Sequence, residues 1–211
     1  MIINCAEVSS NPIYQLLIGA VLPRPIAWVS TRSLDGINNL APFSFFNAFS
    51  VQPPILGFAP GLKRVTDASE MEPNERPKVV PKDTLRNVTD TGEFVVQIVS
   101  RHLAEKMNQT SGEYPPDVSE FDAVGLTAVP SEMVKPPRVG ECLVSMECKL
   151  FNIVKLGASS LVLGEILCIH LSDEILRDGK IDLDVLEPIG RLGGNGYSTV
   201  TDRFEIARPT V

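Results

Sequence analysis

Two segments carry residue types suited to holding an anion. Lys82-Asp83-Thr84 opens a helical pattern. A helix N-terminus offers unpaired backbone N–H groups and a partial positive charge, and both suit a phosphate. Lys82 adds a cation, Thr84 a hydroxyl, and Asn87 lies one turn further on. Asp83 repels an anion, so it is expected to point away and serve the helix cap; a plain capped surface helix is the competing reading. The second segment joins Arg24 to the polar run Ser30-Thr31-Arg32 at the end of a β-like stretch. Hydroxyls and a guanidinium there can hold a phosphate by charge-assisted hydrogen bonds, against the alternative of an ordinary solvated strand end.

A third segment, Ala41-Pro42-Phe43-Ser44-Phe45-Phe46-Asn47, mixes aromatic rings with small polar groups. A flat ring with a polar edge needs that mixture, although a core strand with alternating Phe would read the same way. Phe43 and Phe45 are expected to share one face. Gly193-Gly194-Asn195-Gly196-Tyr197 is an irregular loop in which backbone can approach a ligand closely, with Tyr197 as an aromatic wall, or else a surface turn. His170 ends a strand and is either structural or a cation-capable group near a redox centre. His102 reads as a surface residue.

Other chemistries find no support. No P-loop and no GxGxxG occurs, the carboxylates form no evident acid–base pair, and no Ser-His-Asp or Cys-His arrangement can be assigned. The four cysteines, Cys5, Cys142, Cys148 and Cys168, show no CxxC spacing, so no metal site is expected. Cys142 and Cys148 on one strand would lie about 20 Å apart, too far to bridge. Reduced, buried thiols are expected.

The elements that position these groups are mostly strands. The 211 residues, 44% hydrophobic and 21% charged, suit one β-rich domain over 1–211 that buries roughly 70% of its unfolded surface. The net charge of -7 argues against nucleic acid and anionic membrane as partners. No signal peptide and no membrane-length apolar run is evident, so a cytoplasmic protein is expected.

Asn11-Pro12 starts a short helix, and Ile26 to Thr31 reads as a strand. Leu40 to Ser50 reads as one long strand. Asp83 begins a helix that stops at Gly92, Phe94 to Val99 is a strand, and Ser100 caps a short helix to Gln109. Val144 to Val154 and Leu161 to Leu171 form a hairpin across Gly157 to Ser160. Long strands with few helices point to an antiparallel barrel. Gly61 to Pro81, charged and proline-rich, reads as a long excursion or lid.

Taken together, the segments resemble a known family. Pro23-Arg24-Pro25-Ile26-Ala27-Trp28-Val29-Ser30-Thr31, then Asp35-Gly36, then Asn39 to Asn47 is similar to the flavin reductase-like, FMN-binding split-barrel family, which includes flavoredoxin-like flavoproteins. Lys82-Asp83-Thr84-Leu85-Arg86-Asn87, Gly92 to Val99, Gly164 to His170, and Arg191 to Gly194 with Tyr197 follow in the family's order.

The resemblance implies a mainly β fold, a Greek-key split β-barrel with a few short helices, and a homodimer with FMN near the interface. Arg24, Ser30, Thr31, Lys82, Thr84 and Asn87 would then surround the phosphate and ribityl chain. Ala41, Ser44, Phe45 and Asn47 would lie along the isoalloxazine. Tyr197 would cover the cofactor from either subunit, and His170 would face the nicotinamide as the candidate catalytic residue. The implied activity is hydride transfer from NADH or NADPH to flavin, with free flavin or a redox partner protein as acceptor. The alternative is an FMN electron carrier without a nicotinamide site of its own. The excursion from Gly61 to Pro81 departs from the family pattern in being longer than its usual hairpin.

Overall fold

The computed structural model describes residues 1–64 and 79–210. Its centre is a seven-stranded antiparallel sheet: β1 (Ala27–Arg32), β2 (Asn38–Phe43), β3 (Phe46–Val51), β4 (Pro54–Phe58), β5 (Glu93–Ile98), β6 (Val144–Leu156) and β7 (Ser159–Leu171). The strand order is β2-β1-β5-β6-β7-β4-β3. The two terminal strands are consecutive in the chain and joined by Ser44 and Phe45 alone. The sheet must therefore curl until its edges face each other, yet no ladder pairs β2 with β3. That is a barrel split along one seam.

The single strand expected over Leu40 to Ser50 is thus two strands at opposite ends of the sheet. The bend at Ser44–Phe45 also breaks the expected alternation: Phe43 is buried in the core, whereas Phe45 is 45% exposed. The seam edge of β2 is chemically blunted. The backbone N–H of Leu40 points outward and donates to Glu120 Oε2 at 2.9 Å. Two residues on, the outward position is Pro42, which has no N–H to satisfy.

Inside the barrel, Ala27 and Val29 of β1, Phe43, Phe58, Phe94, Val96, Cys148 and Val162 form one core, and Leu85 and Val88 of helix α2 (Asp83–Thr91) plug it. Phe58 stacks at 5.1 Å from Phe43 and edge-on at 5.5 Å from Phe94. Gly164 of β7 makes room for this: a Cβ there would lie 2.2 Å from the Phe94 ring. On the outer face of β1, Trp28 and Leu40 pack with Leu103, Met107 and Phe121 beneath helix α3 (Ala104–Gln109). The Trp28 indole donates to Thr110 Oγ1 at 2.9 Å.

The expected hairpin is present, with β6 and β7 paired along nearly their whole length around Gly157. Gly92 ends α2 in the left-handed region at φ 72°. The first helix runs Ser10–Ala20, one residue ahead of the expected start. Of the excursion from Gly61 to Pro81, Leu62–Arg64 pairs antiparallel with Val79–Pro81; the lid reading falls on 65–78, outside the described residues. Among those described, no helix is long and apolar enough to cross a membrane.

Candidate functional site

The N-terminus of α2 opens onto a cavity of about 110 Å³. Its N-cap position is Lys82, whose side chain has no acceptor, and among the described residues no side chain caps the helix. The first-turn N–H groups are therefore free for an anion. Asp83 turns to Arg86, with an oxygen 2.7 Å from its guanidinium. Lys82 and Thr84 line the cavity from one side, Ala41 and Pro42 from another, and Thr110 to Tyr114 close it from across the seam. The Lys82 ammonium sits 5.9 Å from the Phe43 ring centre.

A buried polar network fixes this end. Asn39 Nδ2 donates to Thr84 Oγ1 at 3.0 Å and to Thr31 Oγ1 at 3.2 Å, and Asn87 Nδ2 donates to Thr31 Oγ1 at 3.1 Å. Thr84 accepts from Asn39 and so keeps its own hydrogen to donate into the cavity. Thr31 and Asn87 are buried partners within the network; they orient Thr84 and hold α2 against β1.

At the other end of the 41–47 segment lies an apolar groove of about 400 Å³, walled by Leu17, Val21, Pro23 and Phe45, with Ser44 and Asn47 on its rim. The segment thus runs from a cationic, hydroxyl-lined pocket to an apolar one. A phosphate at the first and a flat ring at the second match this donor set, so the residues present fit an elongated phosphate-bearing ring ligand such as FMN.

Several sequence-derived candidates stand elsewhere. Arg24 was expected at the phosphate, but its guanidinium is buried and committed: it donates to the carbonyls of Ile18 (2.8 Å), Val21 (3.1 Å) and Leu192 (3.0 Å), and to Ser44 Oγ (3.3 Å). It ties the C-terminal end of the first helix to the late loop beside the apolar groove, a favourable place for a cation. Ser30 points to the opposite face of the sheet from α2. There it donates to the Pro137 carbonyl at 2.5 Å and accepts from Gln97. Tyr197 lines a different cavity, of about 770 Å³, where its hydroxyl donates to Asn108 Oδ1 at 3.0 Å and its ring stacks 4.5 Å from the Arg191 guanidinium.

His170 is likewise on the face away from α2, three strands removed from β1 by way of β5 and β6. Its Nε2 meets Glu147, a fully buried carboxylate that also accepts the backbone N–H of Glu132, Met133 and Val134. Cys168 Sγ lies 3.5 Å from the same Nε2. With three backbone N–H groups and the His170 ring on its carboxylate, Glu147 acts with His170 as a clamp on 132–134.

Sequence reading missed three contributors to the phosphate pocket. Asn39 is two residues from the 41–47 segment and distinguishable only by its burial. Gly112 to Pro116 reads as a turn, and the hydroxyls of Thr110, Ser111 and Tyr114 gain meaning only when Trp28 anchors Thr110 beside β2. Glu120 sits in a short helix (Glu120–Ala123), 6% exposed at the pocket wall.

The model of the flavin reductase like domain matches residues 19–183. An uncharacterized protein of Halalkalibacterium halodurans is 39% identical, over 100% of this chain and 98% of its own length. Among solved structures, nitrilotriacetate monooxygenase component B from Bacillus cereus superposes with a TM-score of 0.87 at 32% identity, covering 98% of both chains. The 2-nitrobenzoate 2-nitroreductase of Pseudomonas fluorescens gives 0.83 at 31% identity, covering 100% of this chain and 97% of that one.

Proposed function

The chain belongs to the flavin reductase like family, and on that premise we propose that it is an FMN-dependent NAD(P)H oxidoreductase. The observation that carries this reading is the pair of cavities along 41–47, one with the N-terminus of α2, Lys82 and Thr84, the other an apolar groove. Its similarity to a monooxygenase component and a nitroreductase supports a redox role.

Bound FMN supplies a ring that accepts hydride from a nicotinamide and passes electrons onward. The chain's own residues provide position. Lys82, the Thr84 hydroxyl and the first-turn N–H groups of α2 hold the phosphate by charge-assisted hydrogen bonds. Phe45, Pro23 and Val21 exclude water from one ring face, while Ser44 and Asn47 offer polar groups to its edge. Electrons leave to free flavin or to a redox partner protein.

A second copy of the chain completes the ring end in this reading. Phe45 at the joint and Phe49 and Val51 of β3, whose outer edge is unpaired among the described residues, are exposed, Val51 by 93%, beside a groove open to solvent. Such an edge favours a symmetric partner. Tyr197 reaches the cofactor only from that second copy.

The test is an anaerobic absorbance titration of the FMN-loaded protein. Bleaching by NADH or NADPH at catalytic rates supports the reading and identifies the donor. Bleaching by dithionite alone replaces it with an electron carrier that has no nicotinamide site.

A further inference from the structure

We propose that Glu120 couples the binding of a phosphate monoester in this cleft to the uptake of one proton. The inference rests on the FMN reading of the cleft and adds a regulatory property to it. Glu120 is a carboxylate walled into the same pocket of about 110 Å³ that holds Lys82 and Thr84. Its position is fixed: Oε2 accepts the Leu40 N–H at 2.9 Å, and the adjacent Phe121 is buried in the outer core. A phosphate drawn to the α2 N-terminus must share this small space with the carboxyl group. Two anions so confined repel strongly, whereas a neutral carboxylic acid can donate a hydrogen bond to a phosphate oxygen.

The electrostatics already favour the neutral form. Burial pushes the Glu120 carboxyl up to about 7, two N–H groups work against this, and Asp83 adds to it. Among the described residues, the other charged or titratable groups at this pocket are Lys63 from the strand Leu62–Arg64, Lys82 and Asp83 at the start of α2, and Glu113 and Tyr114 from the opposing loop; Asp83 is paired with Arg86. An arriving phosphate raises the carboxyl further, so binding near or above neutral pH draws a proton from solvent. The linkage sign follows: affinity is full when Glu120 is protonated beforehand and weakens as pH rises past its free value. The second ionisation of a phosphate monoester lies near 6 and is about nine-tenths complete at pH 7, so above that pH it adds little slope of its own. Riboflavin has the same ring and no phosphate, so it should be indifferent.

Flavin fluorescence quenching between pH 6.5 and 9, with FMN and riboflavin as separate probes, tests this on the full chain. The expected result is an FMN Kd that rises by up to roughly tenfold per pH unit above 7, a riboflavin Kd that stays flat, and a flat FMN curve for Glu120→Gln. Glutamine can still accept the Leu40 N–H, so the substitution removes the titration and keeps the contact.

Calorimetry of wild-type protein at pH 8, in two buffers of different ionisation enthalpy, gives a reading that depends on no variant: about one proton taken up per FMN and none per riboflavin. An FMN affinity independent of pH, an unchanged slope in Glu120→Gln, or an equal slope for riboflavin overturns the inference while leaving the FMN site intact. Failure to bind either flavin at any pH overturns both.

Discussion

His170 Nε2 donates to Glu147 Oε1 across 2.5 Å, on the sheet face turned away from α2. The pair anchors residues 132–134 and stands apart from the cleft built by Lys82, Thr84 and Ala41. His170→Ala is expected to lower stability by about 1–2 kcal/mol, the loss of one hydrogen bond to a charged group, and to leave FMN affinity unchanged. Urea denaturation and flavin titration check this. Flavin reduction slowed more than tenfold would instead bring His170 into the cleft of a neighbouring copy.

Glu147 also sets a pH dependence. Burial opposes its charge, but the N–H groups of Glu132 and Met133 and the His170 ring outweigh it and hold the carboxyl below its ordinary value of 4.5. A depressed carboxyl contributes stability that is complete above the unfolded value and lost as pH falls through the folded one. Denaturation midpoints are expected to fall below about pH 4.5. Glu147→Gln should flatten that acid limb, at the cost of lower stability at neutral pH.

At the phosphate end, Thr84→Ala and Lys82→Ala each remove one contact to an anion. Each is expected to weaken FMN binding by about 1.5–3 kcal/mol and to spare riboflavin. Equal losses for both flavins would place the phosphate elsewhere.

Arg24→Ala provides the contrasting pattern. Four hydrogen bonds vanish from the buried junction of the first helix, Ser44 and Leu192. The expected result is a loss of about 2–3 kcal/mol in stability, with FMN and riboflavin weakened alike because the apolar groove loosens. A selective loss of FMN would return Arg24 to the phosphate.

Gly164→Ala sets a methyl 2.2 Å from the Phe94 ring, inside the Phe43–Phe58–Phe94 stack. Overpacking of this kind costs about 1–3 kcal/mol. Chemical denaturation measures it, and Gly157→Ala, at a turn with open space around it but φ 63°, is expected to cost only about 1 kcal/mol through strain.

Strand identity was readable where the pattern is local. β5, β6, β7 and the Gly92 stop of α2 follow directly from β-branched runs and turn glycines. The seam was not, because Phe43, Phe45 and Phe46 read as strand on either side of the bend, and only curling of the sheet decides which ring goes inside. Lys82 and Thr84 could be singled out from residue type because helix-end chemistry is local too, whereas Ala41, expected along the flat ring, lines the cavity at the helix end. Arg24 and Ser30 share that chemistry but are consumed by Ile18, Leu192 and Pro137, partners brought near by long-range folding. Glu120 and Tyr114 were invisible for the converse reason: their significance comes only from the neighbours the fold supplies.

The Ser44–Phe45 joint acts as a ruler. It links the two seam strands directly; the cationic pocket touches the segment at Ala41 and Pro42, and the apolar groove is walled by the joint itself and the residues after it. Their separation is therefore set by chain length at one point rather than by side-chain choice along the cleft. One residue inserted between Ser44 and Phe45 would lengthen that wall by about 3.3 Å and carry Phe45 and Asn47 away from Ala41 and Pro42, so a ligand gripped at one end would no longer reach the other.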